Sequence, residues 1–192
     1  YVRIGKVDEA LKLMDEYEEL YKPPFDFQIL IGKTMLYGAL EDIENAEKYL
    51  NKLIEESIRL GAEIVLDQII EPNALEAKLE ILKKDYDKAI ELLNANKNKD
   101  WDKMQSLLSK AYRLKGDLET SKEIIEKMCD DGDHCSKDAQ YEAALVYYEL
   151  GEYDKAREYL NGCLDHYKHA DATFKPLVEA KETLSKWEAG GN

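Results

Sequence analysis

Three cysteines and a histidine are the residues of this chain whose types and spacing suggest specific chemistry. Cys129 and Cys135 bound the stretch CDDGDHC, and Cys163 is followed three positions later by His166. Two or three thiolates with an imidazole are a zinc-ligand set, while two thiols alone can form a disulfide. The five residues between the first two cysteines exceed the usual zinc-knuckle spacing, and cysteines near helix ends are often buried. The sequence therefore favours free thiols, with a disulfide and a metal site as alternatives.

Catalytic motifs are the next chemistry to consider. The sequence contains no phosphate-binding glycine loop, no nucleophile elbow and no paired His-Glu zinc signature. Its many carboxylates, Glu55 and Glu56 among them, have the spacing of solvated helix faces. We therefore expect no enzymatic activity, no cofactor and no resident metal.

The composition predicts an all-α protein. Of the 192 residues, 44% are hydrophobic and 35% are charged, while only 10 are glycine and 4 are proline. The formal charge of −14 disfavours nucleic acid and anionic lipid surfaces as partners. The sequence has no apolar run long enough for membrane insertion. Three cysteines are too few for a disulfide scaffold, which favours a reducing compartment such as the cytoplasm.

A repeat organises these residues into helices. The segment AALVYYELGEYDKAREYL, 143–160, aligns with LSKAYRLKGDLETSKEII, 108–125. A small residue recurs at positions 10, 46, 89, 121 and 156, at intervals of 36, 43, 32 and 35. Each unit is predicted to be two helices joined at a Gly or Asp. The small residue lets the two helix backbones cross closely, and a tyrosine of the first helix fills the wider gap beside it.

This pattern resembles the tetratricopeptide repeat family. The resemblance is carried most fully by the last unit, in Ala144, Tyr147, Gly151, Tyr153, Ala156 and Leu160. It weakens toward the N-terminus, where Glu80 replaces the first-helix tyrosine of one unit and Glu41 replaces the turn glycine of another. Ser121 likewise replaces the usual alanine. The resemblance implies a right-handed α-solenoid of stacked antiparallel helix pairs.

The repeat register predicts one domain that covers residues 1–192. We expect an orphan helix at 5–21, which looks like a second helix without its partner, and a capping helix at 171–188 that covers the apolar face of the last unit. The helix pairs are predicted at about 26–60, 70–99, 101–135 and 136–169.

The resemblance also implies a binding surface, because the first helices of successive repeats line the concave groove of such a solenoid. In register with the last unit, the groove candidates are Ile31, Met35, Ala74, Lys78, Lys103, Ser106, Lys110, Arg113, Tyr141, Leu145 and Tyr148. A cationic stripe of Lys103, Lys110 and Arg113 in an acidic protein suits a carboxylate-bearing peptide, although such residues also form plain solvated faces.

Two functions follow as expectations. The preferred one is a non-catalytic protein-interaction module, an adaptor or scaffold that holds a peptide or a partner's helix in the groove. The alternative is a self-association or structural segment of a larger multi-repeat protein, with contact through the N-terminal helix. A co-chaperone for acidic chaperone tails is disfavoured, because Ile31, Met35 and Leu75 occupy the places where the family's carboxylate-binding set would lie.

Overall fold

The protein is all-α in the parts described by the computed structural model, residues 6–20, 27–59, 72–96, 102–129, 135–170 and 172–190. The helices are α1 (Val7–Leu20), α2 (Phe27–Ala39), α3 (Ile43–Arg59), α4 (Pro72–Lys83), α5 (Tyr86–Ala95), α6 (Asp102–Lys115), α7 (Leu118–Cys129), α8 (Lys137–Glu149), α9 (Tyr153–His166) and α10 (Lys175–Ala189). Within these residues there is no strand, and the prediction of an all-α fold of adjacent helix pairs is confirmed.

The helices divide into two compact units. Unit 1 contains α1 and the pairs α2/α3 and α4/α5, and unit 2 contains the pairs α6/α7 and α8/α9 followed by α10. The single domain expected from the sequence stays a prediction.

All four pairs turn in the same way. One or two residues after the first helix ends, a residue has positive φ: Glu41 (58°), Lys84 (66°), Gly116 (93°) and Gly151 (78°). In each turn the following amide N–H donates to a carbonyl five residues earlier, at 2.9 to 3.0 Å, as Asp42 does to Tyr37. This is a Schellman ending, which satisfies carbonyls that the helix leaves open. Glu41 therefore adopts the backbone conformation of the glycine that it replaces.

The next residue starts the second helix. Asp42, Asp85 and Asp117 each accept a hydrogen bond from the backbone N–H three residues later, at 3.1 to 3.2 Å. Such caps satisfy an N–H that the helix leaves open, so each of these three turns both ends one helix and begins the next. In the fourth turn, Glu152 precedes α9 without a side-chain cap.

The small residues lie where the paired helices cross. Ala46, Ala89, Ser121 and Ala156 are all buried, as the repeat pattern predicts. In α6/α7 the crossing is polar, because the hydroxyls of Ser109 and Ser121 are 2.8 Å apart and Ser121 also donates to the Ser109 carbonyl at 2.9 Å. Serine thus keeps the close crossing with its hydroxyl satisfied.

Candidate protein-binding surfaces

Arg113, predicted as a groove cation, is engaged inside unit 2. Its Nε donates to Glu142 Oε1 at 2.6 Å and its Nη1 to Glu149 Oε1 at 2.7 Å, and its side chain is only 9% exposed. Burial opposes the charge, but the two carboxylates outweigh it and raise the pKa of Arg113 above its ordinary value. Arg113 therefore joins the first helices of neighbouring repeats, α6 and α8.

Tyr141 and Tyr148, the aromatic groove candidates of α8, lie against the last helix of unit 2. The hydroxyl of Tyr141 is 3.0 Å from Thr183 Oγ1, and burial raises the pKa of Tyr141. Tyr148 stacks on Trp187, with ring centroids 4.2 Å apart. Helix α10 thus covers both tyrosines, which leaves them little area for a ligand.

The remaining candidates of unit 2 face solvent. Lys103 and Lys110 are exposed on α6, two helical turns apart. Neither side chain forms an ion pair or a hydrogen bond with another described residue. Ser106 lies between them and is half-buried. Leu145, in the position of α8 that corresponds to Lys110, is half-buried against the core. We call Lys103, Lys110 and Leu145 the lysine face.

In unit 1 the candidates are mostly apolar. Met35 on α2 is 51% exposed, Ile31 is half-buried, and Lys78 on α4 is half-buried. Ala74 is buried, so its side chain is not available to a partner. The exposed candidate of unit 1 is therefore the thioether of Met35, whereas the exposed candidates of unit 2 are the ammonium groups of Lys103 and Lys110.

The thiol expectations are corrected by the structure. Cys129 and Cys135 are joined in a disulfide, so the preference for two free thiols there was wrong. Cys163 is outside any disulfide and is 1% exposed within the core of unit 2, while His166 is exposed. Among the described residues no three histidine, cysteine or acidic side chains are grouped as a metal site requires.

Buried charges are the feature that sequence reasoning missed. Lys33 of α2 is 2% exposed and donates to Asp15 at 3.0 Å and to Glu18, both on α1. Burial opposes its charge, yet these bonds raise the pKa of Lys33 well above its usual range. A Cβ on Gly32 would lie 2.8 Å from the Met14 thioether methyl, so a glycine allows α1 to approach α2 closely.

Glu80 is the second buried charge. It replaces the family tyrosine on α4 and accepts from Lys88 at 2.9 Å and Lys83 at 3.2 Å. Burial alone would raise its pKa, but the two ammonium groups lower it below the ordinary value of 4.5. A lone Lys in the apolar segment FQILIGKTMLYGA and a Glu at a core position were the available signals.

Comparison with known proteins supports the repeat assignment. Two models of tetratricopeptide repeats match the chain, one over residues 28–57 and one over residues 138–170. No curated protein matches the chain. Within the described residues, none of the helices combines the length and apolar character needed to cross a membrane.

Proposed function

We propose, from the premise that this chain is a tetratricopeptide repeat protein, that it is a non-catalytic adaptor whose lysine face binds a partner's acidic segment. The two family matches support a role in protein–protein interaction, which tetratricopeptide repeats generally mediate. An acidic ligand is supported by Lys103 and Lys110, which are exposed on the same first helix, α6. Neither lysine pairs with an acidic side chain among the described residues.

Charge supports an acidic rather than a basic ligand. The chain carries 41 acidic and 27 basic residues, so its general surface repels acidic peptides, and a local pair of ammonium groups gives selectivity for one place. Arg113 is already held by Glu142 and Glu149, so the lysines supply the charge that a partner meets. The half-buried side chain of Leu145 on α8 offers an apolar contact beside α6, which suits a hydrophobic residue of the same ligand.

The test uses fluorescent peptides that share two leucines and differ only in charge: acidic, neutral and basic. We expect the acidic peptide to bind and the Lys110→Glu variant to lose about tenfold in affinity, with a strong dependence on salt. Lys127→Glu is the matched control, because Lys127 is exposed on the second helix α7 and the change in net charge is identical. Equal binding of all three peptides, or an equal loss in both variants, would contradict the proposal.

A second candidate function is self-association through α1. The side chains of Leu20 and Tyr17 are 75% and 43% exposed, and with half-buried Leu13 they form one apolar side of the helix. Exposed apolar side chains in this arrangement favour contact with another helix. Sedimentation equilibrium should then show a dimer that Leu20→Glu dissociates, and a wild-type protein that remains monomeric at high concentration would count against it.

A further inference from the structure

We propose that Cys129 and Cys135 form a reversible redox clasp that controls the stability of the last helix pair. The bond joins the last residue of α7 to the residue just before Ser136, whose hydroxyl accepts from Ala139 N–H at 3.3 Å and caps α8. The two Cα atoms are 4.7 Å apart, within the range of disulfides in proteins. The bond therefore spans the junction between two repeats and fixes the start of α8.

The rest of that junction is non-covalent. Glu126 of α7 accepts from the Tyr147 hydroxyl at 3.3 Å, and Lys122 pairs with Glu152 at 2.6 Å near the opposite end of α8. Ile125 is fully buried between them in the core of unit 2. In a repeat array each unit is stabilised largely by its neighbour, so a covalent bond at one end of this junction strengthens the coupling of α8/α9 to α6/α7.

The surroundings make the pair suitable for a switch between two defined states. Cys129 and Cys135 are half-buried rather than sealed, so a small thiol can reach them, whereas Cys163 lies in the core and is shielded from exchange. Thiol–disulfide exchange within this chain is therefore limited to the sulfurs of Cys129 and Cys135. One thiolate of a dithiol reductant attacks the bond, forms a mixed disulfide with one cysteine and releases the other cysteine. The second thiolate of the reductant then attacks its own sulfur in the mixed disulfide and releases the remaining cysteine.

The electrons and atoms of this exchange balance. The dithiol gives up two electrons and two protons and leaves as a cyclic disulfide, while Cys129 and Cys135 each end as a thiol. Re-oxidation by oxidised glutathione passes through a mixed disulfide between one cysteine and glutathione, which the other cysteine then displaces, so that the Cys129–Cys135 bond forms again and two glutathione thiols are released. Because α8 carries Leu145 and the partners of Arg113, the redox state is also expected to affect the lysine face, although the clasp does not depend on that function.

The clasp is tested on the full chain. Alkylation under denaturing conditions, followed by mass spectrometry, should find one free cysteine before dithiothreitol and three after it. Reduction should lower the unfolding midpoint of unit 2 by about 10 °C, as expected for a short closed loop in a unit of this size. Amide exchange in α8 should become at least tenfold faster.

The Cys129→Ser, Cys135→Ser double variant is the control. It should have the midpoint of the reduced protein and be insensitive to dithiothreitol. If it does not fold, reduced wild-type protein in glutathione buffers supplies the same comparison, with exchange in α8 as the readout. Three free cysteines before reduction, or a midpoint and exchange pattern that reduction leaves unchanged, would overturn the inference.

Discussion

The helix pairs α2/α3 and α8/α9 use aromatic stacking where α4/α5 uses ionic pairing. Tyr37 stacks on Tyr49, and Tyr147 on Tyr159, both with ring centroids 5.5 Å apart and nearly parallel planes. In α4/α5 the matching position is Glu80, bound to lysines. The family models match the segments with the stacked tyrosines, 28–57 and 138–170. The same turn and crossing are thus kept while the side chains beside the crossing change from apolar to charged.

The buried carboxylate of Glu80 depends on positive charges beside it. A buried carboxylate is tolerated only with partners, because an unpaired charge in a core is strongly destabilising. Glu80 pairs with Lys88 of α5 and with Lys83, which lies one turn later on α4. Lys83 also pairs with Glu47 of α3. Glu80 therefore occupies the place of the tyrosine with its charge balanced by lysines from both helices of the pair.

The largest expected effect is the loss of a stacked tyrosine. Tyr147→Ala should destabilise unit 2 by about 4 kcal/mol, because it removes a buried ring and its stacking contact with Tyr159. Tyr112→Ala, at the same position of α6/α7, is the control: Tyr112 is only half-buried and should contribute less than half as much. Urea denaturation measures both. Equal losses would show that stacking is not what distinguishes the two pairs.

The second effect tests the ionic pair. Glu80→Gln should destabilise unit 1 by about 1 to 2 kcal/mol, because it keeps the shape but leaves two lysines without their shared carboxylate. Glu55→Gln, an exposed carboxylate of α3, is the matched control and should change little.

The same pair predicts a dependence on acid. The folded-state pKa of Glu80 is lowered from 4.5, so its contribution is complete above that value and is lost as the pH falls through the folded-state pKa. The wild-type protein should therefore lose more stability below pH 4.5 than Glu80→Gln does, in denaturant titrations at a series of pH values. Parallel acid profiles for the two proteins would argue that Glu80 is not ionically stabilised.

The smallest effects belong to the polar crossing. Ser109→Ala should cost about 1 kcal/mol, since Ser121 then loses a buried hydroxyl partner. The double variant with Ser121→Ala should lie within about 0.5 kcal/mol of wild type, because both hydroxyls are removed and alanine fills this place in other repeats. A double variant as unstable as the sum of the single ones would mean that the serines stabilise the crossing itself.

Spacing along the sequence predicted the structural features that are determined by one residue at one position of the repeat. The small residues at 46, 89, 121 and 156, and the turn position of Glu41, follow from spacing along one chain, and the structure has each of them in the predicted environment. The partners of Lys33 and Arg113 come from helices 15 to 36 residues away, and spacing does not indicate which carboxylates reach them.

The thiols show the same limit. The five-residue interval between Cys129 and Cys135 is compatible with free thiols in a turn, which the sequence favoured, and also with a disulfide or part of a metal site. Only the distance between their backbones, which depends on how α7 and α8 pack, selects among these alternatives. Tyr148 was predicted as a groove residue, and its stacking on Trp187 depends on the angle at which α10 packs on α8, which spacing along the chain does not indicate.

The shared turn offers a route to a more robust protein. Glu41 and Lys84 hold a conformation that costs an L-residue roughly 1 kcal/mol, while two sister turns already use glycine. Replacing both by glycine would transfer the favoured turn residue from the C-terminal repeats to the N-terminal ones without touching a core side chain. The glycines at the turns of the C-terminal repeats thus indicate which substitutions should stabilise the corresponding turns of the N-terminal repeats.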